Sequence, residues 1–472
     1  MASVICWLMM PPLRGPPVRQ PPARERHGEL EKGIVSYGER SRAWRWAHKL
    51  LSGQPVSVAL LGGSVTQGTG SDPPHTGAYA LRVLRWINET FPHPGHVLKN
   101  NGHGAVPSSY FSMCVSREVP QDADLVILEF NMNDGGPLDS PMRRAHERLV
   151  RKILNLPNRP AAVELVFWEW PALPFNDSLL PVPWRYSHDE ELGDMAQYYR
   201  LPWLGMRSLL WDGLNVTRSD PAERSRPGKL DNFWLVTNGV RDNKHPNDGG
   251  HRVMAELVIH WMQRMLEDVA THPLEPWDEQ EARRPLPIPM QWNNWEAASS
   301  NTCLMGEETK AVVAQHDDAW QWVDEGKPGR PPKWGWVSSQ PGSSLHLAFN
   351  TSKPGAGPED KVTLGVAHLK SYEHMGKFSV TCVEGCACDP LTGDGHGTDK
   401  WSQLNFAMLL VSPSDACKLK LIVLNDTQSG EHKVKRLGVV LSEDTGFLIS
   451  EEKNKVMSDI MHEAWDTCWD KR

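Results

Sequence analysis

A chain of 472 residues, 39% hydrophobic and 23% charged, holds more apolar material than one typical core needs, so two domains plus tails are expected. Its 50 basic against 58 acidic residues give a net charge of −8 with no Lys/Arg block, which argues against nucleic acid as a partner. No stretch approaches the ~20 apolar residues of a membrane-spanning helix, so no transmembrane segment is expected.

Residues 1–35 open on a short apolar stretch and continue as a Pro/Arg-rich run. They lack the basic lead and small-residue cleavage site of a signal peptide, and read as a disordered or targeting tail, or as a start truncated upstream. The segment RAWRWAHKLL (42–51) has the period of a short amphipathic helix. PVSVALLGGS (55–64) is a continuous apolar run of the kind buried on both faces of a parallel sheet. A helix follows over 77–91, a second buried strand in ADLVILEFNMND (123–134), an Arg-rich helix over 141–154 and a third strand over 161–170. DMAQYYRLPWLGMRSLLWDG (194–213) contains a further helix and a strand, and NDGGHRVMAELVIHWMQRMLEDV (247–269) is a long closing helix that Asn247 or Asp248 could cap. Strands alternating with helices predict an α/β domain over 36–270, a parallel sheet with helices on both faces.

Prolines break every pattern over 271–290, which reads as a linker. Beyond it, over 291–472, short alternating runs such as KVTLGVAHL, KFSVTCV and KLKLIVL are separated by Gly, Pro, Asn and Asp, as in a β-sandwich or jelly roll. A terminal helix is expected over 451–469. Six of the eight cysteines, Cys303, Cys382, Cys386, Cys388, Cys417 and Cys468, lie in this part. TCVEGCACDP has neither paired C-x-x-C spacing nor nearby His ligands, so disulfides are favoured over a metal, with Cys468 tying down the terminal helix. Five N-x-S/T triplets, at Asn88, Asn176, Asn215, Asn350 and Asn425, fit passage through a secretory lumen, though chance supplies several in so long a chain. A secretory or extracellular location is expected, against the poor signal peptide.

Three loops at the carboxyl ends of strands carry chemistry, where the crevice of a doubly wound sheet opens. In VALLGGSVTQG, Gly62 and Gly63 permit a sharp turn that presents Ser64 and frees its amide; a plain tight turn fits the same stretch. No Gly-Lys-Ser/Thr or G-x-G-x-x-G pattern marks a phosphate site. In EFNMNDG, the Asn133 carboxamide could point at an oxyanion, although Asn-Asp-Gly is also good turn chemistry. In RDNKHPNDGGH, Asp242 and His245 are three apart, so within one turn both could face the same way, the carboxylate steering the imidazole toward Ser64. A capping Asp and a surface His are the plain alternatives.

Taken together these blocks resemble the SGNH (GDSL-type) hydrolase superfamily over roughly 56–266. GGSVTQG resembles its first block, with Gly63 where the name-giving motif has Asp; NMND resembles the G-x-N-D block with Asn131 in the Gly place; and DNKHP resembles the terminal D-x-x-H block. The remaining block falls in VLKNNGHGAVPSSYF, on Gly104 or Ala105. The resemblance implies a flavodoxin-like three-layer domain and a serine esterase with Ser64, Asp242 and His245 as triad. Its oxyanion hole would comprise the amides of Ser64 and Gly104 and the side chain of Asn133, with neither metal nor organic cofactor, and Gly63 would take no catalytic part.

The whole chain more loosely resembles algal and fungal capsule-associated-like proteins, which leans the substrate toward glycans. The 21 Trp against 7 Tyr and 10 Phe lean the same way, since Trp faces stack on sugars: Trp292, Trp295, Trp334 and Trp336 stand in or beside the second domain, although core packing explains them equally well. A short-acyl, acetyl-type polysaccharide esterase is expected, with a polysaccharide O-acyltransferase using the same triad and a non-catalytic glycan-binding or wall-associated protein as the alternatives.

Overall fold

The computed structural model describes residues 28–73, 76–135, 137–167, 189–210, 234–237, 240–295, 302–326, 332–352, 361–398 and 402–442, those at 234–237 and 240–244 by backbone alone. Two compact units form: one from residues up to Ser108 and from Glu118 to Trp295, the other from Ser109–Arg117 and from Glu296 onward. The helix expected over 451–469, with Cys468, lies outside the described residues, as do Asn176 and Asn215.

The first unit is built on a six-stranded sheet: β1 (Ile34–Ser36), β2 (Ser57–Gly62), β3 (Val97–Gly102), β4 (Leu125–Glu129), β5 (Ala161–Val166) and β6 (Trp203–Gly205), in the order β1-β6-β5-β4-β2-β3. All neighbours run parallel except β1 against β6. β2, β4 and β5 are buried at every position, as their unbroken apolar runs predict. Alternate residues serve opposite faces. Val58, Leu60, Leu125, Ile127 and Val163 pack with α1 (Ser41–Leu51), α3 (Tyr79–Thr90) and the long α6 (Asp248–Thr271), where Trp46 and Trp261 stack at 6.4 Å. On the other face Glu164 of β5 meets His146 of α4 (Pro141–Leu154), with α5 (Asp189–Tyr198) beside it. The β3-β2-β4-β5-β6 core has the flavodoxin order, whose switch point lies between β2 and β4. Ser64 follows one of those strands and Asn133 the other.

The second unit is a β-sandwich of antiparallel sheets. One contains β10 (Val313–His316), β13 (Ser344–Phe349), β18 (Cys417–Val423), β15 (Lys377–Glu384) and β16 (Leu391–Asp394); the other contains β11 (Gln321–Asp324), β12 (Trp334–Ser338), β19 (Val434–Ser442), β14 (Val362–Lys370) and β17 (Gln403–Val411), with β9 (Thr302–Met305) added to β19. β18 shows the sequence logic: Cys417, Leu419, Leu421 and Val423 point inward and the residues between them outward. They meet Leu364, Val366, Leu409 and Val439 of the facing sheet in one apolar core.

Several expectations need correction. Residues 271–290 are no free tether. They contain α7 (Pro276–Ala282) and are held to the first unit by Arg151 of α4, which donates to Pro287 O at 2.7 Å. Glu147 of α4 is buried and accepts the amides of Met290 (2.5 Å) and Gln291, while Asn294 donates to it at 2.6 Å. Prolines prevent regular pairing in the segment but do not prevent side chains from satisfying its backbone. The cysteines pair as Cys382–Cys388, Cys386–Cys417 and Cys114–Cys303. Cys303 thus reaches outside the C-terminal group, to the 109–117 stretch that folds with the second unit. Finally, residues 240–246 are extended, not a helical turn: they form β8 (Val240–Pro246), paired with β7 (Trp234–Thr237). Among the described residues no helix is long and apolar enough to cross a membrane.

Candidate active site

Gly62 of β2 pairs with Gly102 of β3 on one side and Glu129 of β4 on the other, so three strands end level. At this rim the chain turns from β2 into α2 (Ser64–Gln67), a single helical turn whose first residue is Ser64. The close fit requires glycine. A Cβ on Gly102 would lie 2.2 Å from Gln67 N, inside α2's backbone. Ser64 is thereby presented, half-buried, at the opening of the crevice.

Ser64 Oγ and His245 Nε2 lie 2.7 Å apart although 181 residues separate them in sequence. What brings them together is β8. Three residues of β7, Trp234 to Val236, oppose the six from Arg241 to Pro246, so the stretch carrying Asp242 and His245 bulges from the ladder. Bulges re-aim side chains, which suits a ring that must leave its sheet to meet a hydroxyl. Asp242 stands three residues before His245 in this bulge; its side chain lies outside the described residues.

Asn133 follows β4 in a tight turn in which its own amide and that of Asp134 both donate to Phe130 O at 2.8 Å. Its carboxamide packs against Gly63: a Cβ there would lie 1.8 Å from Oδ1 and 2.6 Å from Nδ2. The missing side chain at position 63 is therefore the space that Asn133 occupies, beside the nucleophile candidate. Asn131 is a clamp, its Oδ1 accepting Phe167 N at 3.0 Å and its Nδ2 donating to Phe167 O, so it ties the ends of β4 and β5. Asp134 is buried and braces the turn, accepting Ser108 N at 3.0 Å and facing His146 Nδ1 at 3.3 Å. Burial opposes charge on His146, yet Glu164 at 2.7 Å and Asp134 on its two nitrogens push its pKa up to about 9.

Gly104 lies over α2, where a Cβ would meet Gln67 Oε1 at 2.8 Å, and it is Ala105 that holds a left-handed φ of 59°. That conformation favours glycine, so position 105 has the backbone signature of the glycine the resemblance calls for.

The residues that follow His245 complete the surroundings. Asn247, not Asp248, caps α6, accepting Gly250 N at 3.1 Å. Asp248 instead accepts Asp72 N at 3.1 Å and Arg82 at 2.5 Å. His251 accepts Tyr79 N on Nδ1 (3.3 Å) and donates from Nε2 to Thr69 O (2.9 Å), a neutral imidazole whose pKa burial lowers to about 4. The N-D-G-G-H run thus both follows His245 and pins the loop that follows Ser64. Nothing in its sequence separates these roles from ordinary capping.

The tryptophans divide. Trp334 and Trp336 do share a face, but both pack on Trp322, Trp334 stacked at 5.8 Å and Trp336 edge-on at 5.7 Å, with Lys310 4.6 Å above the Trp322 ring. Trp292 and Trp295, by contrast, are 90% and 57% exposed. Arg144 in the first turn of α4 donates to Trp292 O at 3.0 Å, placing Trp292 toward the end of α4 that follows the Asn133 turn.

No protein-family model matches the sequence, and no curated protein matches it. Among solved structures it is similar to CEX, a two-domain esterase active on acetylated mannans, at 20% identity over 88% of this chain and 99% of that one, with a TM-score of 0.60. The same esterase co-crystallized with mannopentaose matches at 19% identity over 89% and 99%, with a TM-score of 0.57. The likeness spans both units and establishes a shared two-domain fold.

Proposed function

We propose that this chain is a serine esterase that removes short acyl groups, acetyl foremost, from a polysaccharide. The observation that carries the reading is the 2.7 Å approach of Ser64 Oγ to His245 Nε2 at the switch point of the sheet. In this mechanism the Ser64 hydroxyl donates to Nε2, and Oγ attacks the ester carbonyl as His245 takes the proton. Asp242 fixes the tautomer. The oxyanion is held by the Ser64 amide, the Asn133 carboxamide and the amide of Gly104 or Ala105. The tetrahedral intermediate collapses, the C–O bond to the sugar breaks, and His245 returns its proton to the departing hydroxyl. Water, deprotonated by the same ring, then attacks the acyl-serine carbonyl and releases the carboxylic acid with the free serine.

The fold shared with an esterase active on acetylated mannans and the exposed Trp292 support a glycan as the acyl carrier. Three disulfides, together with exposed Asn88, Asn350 and Asn425, support a secretory or extracellular life. Ser64→Ala and His245→Ala, assayed on a short-chain aryl ester and on an acetylated polysaccharide, test the reading. Loss of turnover by at least ~10³-fold in each is expected, and survival of turnover in both variants would remove the assignment. A supplied sugar hydroxyl that captures the acyl group in preference to water would identify a transferase.

A further inference from the structure

Among the buried acids that the mechanism does not use, Glu129 stands nearest in the chain's packing to the helix of Ser64. Glu129 closes β4 with no exposed surface, level with Gly62. Its Oε2 accepts Thr66 Oγ1 at 3.0 Å, and the Thr66 amide donates to the same carboxyl. Thr66 is two residues past Ser64, in the single turn of α2, where the amides at a helix start have no intrahelical partner. The residue at the usual capping place is Gly63, which has no side chain to serve them. Glu129 does that service from the neighbouring strand. Thr66 Oγ1 also meets Tyr79 OH at 2.9 Å, and the Tyr79 amide leads to His251 and so to the start of α6, just past His245. One carboxyl is thus bonded to the helix that bears Ser64 and linked to the helix that follows His245.

The surroundings favour the neutral acid. Among the described residues Glu129 is faced by Gly62 from β2, Thr66 from α2, Tyr79 from α3 and Asp134 from the turn after β4; the charge acting on it there is the Asp134 carboxylate and no cation, while the bonds from Thr66 favour the charged form. Its Oε1 has no hydrogen-bond partner among the described residues. Burial is the main cause that raises its pKa, to about 8. An ionised carboxylate here would place an uncompensated charge beside Asp134.

We infer that Glu129 is a positioning residue for the nucleophile: its protonated carboxyl caps α2 through Thr66 and sets Ser64 at the height of His245, and its ionisation, which puts an unpaired buried charge beside Asp134, disturbs that packing and lowers turnover at alkaline pH. This rests on the esterase reading and adds a residue to it.

The test is the pH profile of kcat on a short-chain aryl acetate, measured from pH 6 to 10 with the full chain and with Glu129→Gln and Glu129→Ala. Wild type should lose turnover through an alkaline limb. Glu129→Gln, which keeps an acceptor but cannot ionise, should retain turnover at pH 7 and lack that limb. Glu129→Ala should lower kcat by roughly 10–100-fold, the scale of a misplaced reacting group, with KM little changed. Thermal unfolding identifies a variant that has failed to fold, and the isosteric Gln variant then carries the test. An alkaline limb preserved in Glu129→Gln overturns the inference while leaving the esterase reading intact. A folded wild type that turns over no ester at any pH, and whose Ser64 takes up no fluorophosphonate, overturns the esterase reading instead.

Discussion

Replacing Gly63 with Ala should cost activity and little stability, because of what occupies the space. The added Cβ would come within 1.8 Å of Asn133 Oδ1, 2.4 Å of its Cγ and 2.6 Å of its Nδ2. Carbon does not approach neighbours closer than about 3.4 Å without repulsion, so the carboxamide must move by more than an ångström. The backbone beneath it cannot follow, since the amides of Asn133 and Asp134 are both fixed on Phe130 O. The side chain rotates away instead, a small conformational cost in a 5% exposed residue, but the displaced group is the proposed oxyanion donor. Loss of one such donor typically lowers kcat by 10²–10³-fold, ~2.7–4 kcal/mol of transition-state stabilisation. Gly63→Ala should therefore match Asn133→Ala in kcat on a short-chain aryl ester, with a melting temperature near that of wild type. The double variant should be no worse than either single one, because the same interaction is lost only once. Wild-type turnover in Gly63→Ala, or multiplied losses in the double variant, would refute the reasoning. The Gly that departs from the name-giving motif is on this account a requirement of Asn133's placement, contrary to the indifference the resemblance implied.

Three further outcomes are expected. His251, held neutral with a pKa lowered to about 4 against an ordinary 6.5, binds its proton more readily unfolded than folded, so stability falls as pH drops from about 6.5 toward 4. At 1.36 kcal/mol per unit its share is on the order of 3 kcal/mol; the difference in unfolding free energy between wild type and His251→Asn, followed by denaturant titration, should shrink across that window. Ala105→Gly should relieve the left-handed backbone at φ 59°, raising stability by ~0.5–1 kcal/mol with esterase activity kept, and a lowered melting temperature would count against the strain. Trp292→Ala should reduce kcat/KM on an acetylated polysaccharide by ~10-fold, the order of one lost stacking contact, and leave aryl-ester turnover unchanged; equal effects on both substrates would deny Trp292 a part in glycan binding.

The strands of the first unit were legible because β2, β4 and β5 are buried on both faces, and a chain enclosed by apolar neighbours must itself be apolar without interruption. The Arg-rich helix was legible end to end, since Ser140 caps it and Pro141 starts it. β3 was less so: at the sheet edge VLKNNG is half exposed, and its polar residues read as loop. Ser64, Asn133 and His245 could be picked out because glycines, turn residues and strand ends punctuate the sequence around them. The meeting of Ser64 with His245 was expected through the family resemblance, but the residues alone do not dictate it, since 181 residues separate them and neither residue's neighbours encode the bulge of β8 that turns the ring. Nor could Cys114 be matched to Cys303, which depends on residues 109–117 folding with the second unit. Local residue order determines which segments are buried and where they turn. Which turns face each other, that Asn133 fills the place of an absent side chain, and that Glu129 caps a helix from another strand are settled by packing, because contacts between distant segments leave no periodic trace in either one.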